Sequence, residues 1–162
     1  MAFKDATNWQ EFDYEMRREL IEYNQKAVKF LQELGEKVVK YARTDQSNAL
    51  HYTDHTGNLR NSIGYIVVQD GRVLAEAFEG NTPPSQGYTA GDGNAIGRQY
   101  ALDVAEQLSK SKTYLVWVAG MEYASYVEAK GYDVIQGSGD WLESRAEKER
   151  QAFQRYLKSK KR

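Results

Sequence analysis

Two histidines four residues apart, His51 and His55, bracket Asp54 in the stretch HYTDHTG, a donor set that could hold a transition metal for hydrolysis. On a helix that spacing puts both imidazoles on one face, but Thr53 and the following Thr56-Gly57 read as a helix exit, where the geometry is not assured. A second candidate is GDGNAIG, residues 91 to 97, whose glycines suggest a phosphate loop. No strand precedes it and no lysine follows at the needed offset, so its amides lack the context for cradling phosphate. Ser62 lies near His55 in sequence, but no acid completes a nucleophile set at a recognisable spacing. The enzyme reading thus narrows to a metal-dependent hydrolase built on His51, Asp54 and His55, with most of the parts an enzyme needs missing. The expectation is a protein without catalysis, metal or cofactor.

Charge offers a different kind of chemistry. The segment from Arg145 to Arg162 carries a net charge of +6, leaving −7 on the rest of a chain whose total is −1. A basic tail on an acidic body suits an acidic partner or nucleic acid, which gives a DNA-binding regulator as another alternative; equally, its cations suit the negative pole of a helix end. Lys158, Lys160, Lys161 and Arg162 form its densest part and are the candidate assembly surface. The alternation of basic and aromatic residues typical of single-strand binders is not seen.

The 162 residues suit one domain with a real core. No run of about 18 apolar residues is present, so no membrane span or membrane partner is expected. The polar opening MAFKDATNWQEF lacks a secretory pattern and predicts a chain made and kept in a cytoplasm, and the absence of cysteine excludes disulfides and thiolate metal sites.

Around these residues the elements are readable. After an arm over 1–11, Phe12, Met16, Leu20, Tyr23, Ala27, Leu31, Leu34, Val38 and Tyr41 step by three or four, predicting a helix over 12–42 with Gly35 as a bend or join. At about 1.5 Å per residue it would be roughly 46 Å long, against a diameter of roughly 40 Å for a compact chain of this size. It should overhang the globule, with a neighbouring subunit as the simplest cover for its apolar stripe. Strands are predicted over 61–69 and 72–79 around an Asp70-Gly71 hairpin turn, with Val68 facing Val73 and Ile66 facing Ala75. Residues 80–94 read as a mobile surface loop, 95–110 as a helix, and TYLVWVA, 113–119, as a buried third strand. A short helix or turn over MEYASYVEAK and an extended YDVI follow. Asp140 and Glu143 then have the spacing of a capping box opening a charged last helix within 138–162. The fold class is α+β: a long amino-terminal helix on a small, mainly antiparallel sheet, with the helix of an 80–110 insertion and a carboxy-terminal helix.

Two stretches carry a family resemblance. Thr56-Gly57-Asn58-Leu59-Arg60-Asn61-Ser62-Ile63 and Val118-Ala119-Gly120-Met121-Glu122-Tyr123-Ala124-Ser125-Tyr126-Val127-Glu128 resemble, in this order and separated by a hairpin, the motifs of small bacteriophage and prophage tail-completion proteins. These are head-to-tail joining, minor tail or neck components of long-tailed phages, and the likeness in architecture spans roughly residues 10 to 130. Two features depart from the pattern: Ala129-Lys130-Gly131-Tyr132 follows Glu128, and the insertion before the third strand is larger. The resemblance implies a virion structural protein acting as a homo-oligomeric ring among other phage head-tail or tail proteins, near DNA in the channel. It implies a monomer or small oligomer in isolation, in the bacterial host cytoplasm during assembly and in the virion neck or tail afterwards. Within the motifs, Arg60 and Glu128 carry opposite charge and are expected to pair, tying the corner to the Tyr-Ala-x-Tyr-Val-Glu segment.

Overall fold

A computed structural model of the chain describes residues 9–44 and 52–159. The amino-terminal eight residues, His51, Lys160, Lys161 and Arg162 lie outside the described residues. The architecture is α+β: a long amino-terminal helix, a three-stranded antiparallel sheet, and further helices ending in a carboxy-terminal one.

Helix α1 spans Trp9–Thr44, three residues longer at its start and two at its end than its apolar periodicity predicts. Its 36 residues make it about 54 Å long. The helix runs through Gly35 without a join; a Cβ there would stand 2.6 Å from the Tyr65 ring, so the glycine lets the helix lie close on the sheet. At the far end Arg43 donates to the Ile63 carbonyl, and burial pushes its pKa down.

After the single turn α2 (Asn58–Asn61), strand β1 (Ile63–Gln69) forms the centre of the sheet, between β2 (Arg72–Ala77) and β3 (Thr113–Ala119), and both neighbours are antiparallel to it. Alternation along β1 divides the core. Ile63, Tyr65 and Val67 meet Val39 and Ala42 of α1, while Ile66 and Val68 meet Ala101 of α3 (Gly93–Glu106) and Val118. The hairpin turns at Asp70 and Gly71, both at positive φ (53° and 76°), and Val68 faces Val73 as predicted. The predicted partnership of Ile66 with Ala75 is wrong by one: a bulge after Val67 puts Val67 opposite Ala75 and Ile66 opposite Glu76. Nor is β3 fully buried. It is an edge strand, and of its residues only Val118 is buried.

The connection after β3 contains α4 (Ala124–Ala129), and α5 (Gln136–Lys158) closes the fold. YDVI makes no strand, but its Val134 is fully buried. Helix α5 starts four residues before Asp140, so the Asp140–Glu143 capping box does not open it. It runs antiparallel to α1: Trp141 stacks on Tyr41, Glu149 holds Lys37 at 3.1 Å, and Phe153 packs on Phe30 and Tyr23. The one polar step in the apolar spacing of α5, Glu149, is thus its ion pair to α1. No helix among the described residues is long and apolar enough to cross a membrane.

Candidate functional site

The motif-bearing corner starts from Gly57, whose φ of +73° an L side chain rarely adopts and whose missing Cβ leaves space for the Thr82 carbonyl. Asp54 then accepts from the Arg60 amide at 2.8 Å, closing the turn. Two asparagines of the corner fasten the loop 80–94 to it, and a third, Asn94, ties the loop's two ends together. The Asn61 side chain donates to the Thr82 carbonyl at 3.0 Å and accepts from the Thr82 amide at 2.8 Å. Asn94 makes the same two-way contact with Gly80, at 2.9 and 2.7 Å, and Asn58 accepts from the Gly91 amide at 2.7 Å. The Ser85 amide donates to the His55 carbonyl at 2.7 Å, and the His55 ring stacks on Tyr88 with centroids 4.6 Å apart. The loop is therefore held against the body, contrary to the expectation of a mobile segment. An amide side chain offers a donor and an acceptor side by side, which lets it stand in for a strand partner in a loop that has none.

The two motif stretches do come together, though not by the expected contact. The Gly120 amide donates to the Ser62 carbonyl at 3.2 Å, and Gly97 of α3 lies against both: its Cβ would be 2.2 Å from that same Ser62 oxygen. Ser62, fully buried, donates from its hydroxyl to the Leu59 carbonyl at 2.8 Å. Leu59 packs with Ala124, Val134, Tyr52, Met121 and Val127, joining the first motif to the second. Tyr123 and Tyr126 face solvent.

Arg60 and Glu128 are not paired. Glu128 turns to the start of α5, where one carboxylate oxygen accepts from the Ile135 and Gln136 amides at 3.1 and 2.7 Å, beside Asp133, which takes the Gly137 amide at 2.9 Å. These donors at a helix start have no partners of their own within the helix, and a carboxylate there also answers the positive pole of the dipole. Arg60 instead lies over the Tyr52 ring, 5.4 Å from its centroid, with its buried Nε lacking a hydrogen-bond partner. Burial pushes the Tyr52 hydroxyl up to about 12 against the opposing pull of Arg60.

Of the metal candidates, His51 lies outside the described residues. Asp54 is committed to the Arg60 amide, and the His55 ring stacks on Tyr88. GDGNAIG serves packing and capping: Asp92 accepts from the Ala95 amide at 3.0 Å as the cap of α3, and Gly93 and Gly97 lie against the backbones of Asn58 and Ser62. Sequence reading missed Tyr52, Asn61, Asn94 and Gly97 as the pieces that assemble the corner. The signal for two of them was an asparagine in a segment otherwise read as turn.

The second unusual feature is the first half of α1. Tyr14, Met16, Leu20 and Ile21 are 66%, 51%, 60% and 59% exposed, and Met16 and Leu20 continue the helix line that is covered further along at Leu31, Leu34 and Val38. Near its root, Lys158 at the end of α5 lines a groove with Arg18, Glu22 and Tyr23; it is the member of the basic tail cluster that can be placed. No family model matches the chain, and neither a curated protein nor a solved structure matches it.

Proposed function

We propose that the chain is a structural subunit of a phage or prophage particle, acting without catalysis at the head-tail junction or tail end through ring-like contacts with its own copies and with other head-tail or tail proteins. The observation that carries this reading is the apolar line of α1 running past its cover, with Met16 and Leu20 more than half exposed. Apolar surface left uncovered on an otherwise well-packed chain is the ordinary mark of an interface. Two further features support it. The motif and corner side chains that have the right types for chemistry, Asp54 and Asn61 in the corner and Glu128 turned to the start of α5, are each spent on backbone partners. The two phage-like motifs pack on each other through Leu59 and Ala124, as a shared architecture requires. The basic end of α5 would face an acidic neighbouring ring or DNA in the channel.

The test is genetic and morphological. Deleting the gene from the phage or prophage that carries it should leave heads and tails unjoined, or tails unfinished, in electron micrographs of lysates. Supplying the chain in trans should restore complete particles. Complete, infectious particles from the deletion strain would refute the reading.

A further inference from the structure

We draw no further inference here: the strongest candidate, the cleft between the end of α1 and the start of α5 walled by Tyr41, Tyr132, Trp141 and Asp140, carries nothing, because Glu128 and Asp133 beside it are spent on amides at the start of α5, Trp141 already has the Tyr41 ring and the Arg145 guanidinium against it, and nothing in the structure shows what would fill it.

Discussion

The corner at residues 54–64 and the first four turns of α1 are built on opposite terms. In the corner, the Asp54, Asn58, Asn61 and Asn94 side chains hydrogen-bond to backbone groups of the corner and its loop, and the backbones of Ser62, Gly97 and Gly120 approach so closely that only glycine fits at two of the three positions. Along α1 the apolar line that packs the core at Leu31 and Val39 continues into solvent at Leu20 and Met16. A segment that consumes its own hydrogen-bonding and packing capacity is there to hold the fold. A segment that leaves its capacity unspent is open to another molecule, as the proposed function requires. Mutations in the first should cost stability and mutations in the second should not, and the predictions below separate the two.

Gly97→Ala should give the largest effect. The added methyl would stand 2.2 Å from the Ser62 carbonyl oxygen, and backbone lies on both sides, so α3 or β1 must move. Overpacking of this kind costs about 3 kcal/mol, or a fall of about 9 °C in melting temperature for a chain of this size. A loss below about 1 kcal/mol in urea unfolding would mean that the close approach relaxes easily. Asn61→Ala comes next, at about 2 kcal/mol, since it strands both polar groups of Thr82. The same variant should open the loop 80–94 to limited proteolysis near Tyr88, whereas the wild-type loop resists; equal cleavage of both proteins would show that the asparagines do not hold it.

A pH measurement probes the corner from another side. The Tyr52 hydroxyl is raised by burial to about 12, so its contribution is complete below the ordinary tyrosine pKa near 10 and is lost as pH rises from there towards 12. The unfolded chain gives up this proton first, which favours unfolding by an amount on the order of 2 kcal/mol at the upper end. Tyr52→Phe should therefore lose less stability than the wild type between about pH 9 and about pH 12. Identical pH profiles for the two proteins would place that hydroxyl in water. Smaller again is Glu128→Gln, which weakens the cap of α5 by about 1 kcal/mol. A double-mutant cycle with Arg60→Ala should show coupling near zero, and a clear coupling would revive the pairing of these two charges.

What could be read from the sequence divides along the same line. The long helix, the hairpin turn and the third strand were legible because each is written in a local period or turn type: steps of three or four from Phe12 to Tyr41, Asp70-Gly71 at positive φ, and the short apolar run 113–119. The overhang also followed, since length and diameter are arithmetic. The bulge at Val67/Val68, the edge position of β3 and the cap of α5 were not legible. Each depends on a partner outside the local period: the bulge on the facing strand β2, the edge position on how β3 pairs with β1, and the cap on Glu128, eight residues before Gln136. Opposite charge in two motifs suggested that Arg60 meets Glu128, but charge sign does not encode direction, and helix-start amides outbid a distant guanidinium. A Gly-, Pro- and Ser-rich loop looked free because composition does not reveal which asparagine reaches it.

The least stability should be lost where the most function is. Met16→Ser together with Leu20→Ser replaces two side chains that are more than half exposed, so the melting temperature should change by no more than about 1 °C. The most direct measurement supplies this double variant in trans to a strain lacking the gene and counts joined particles against the variant's own melting curve. The account predicts an unchanged melt and a loss of joined particles. A melt lowered by several degrees with a normal yield of particles would contradict it, because the projecting turns would then belong to the fold and not to assembly.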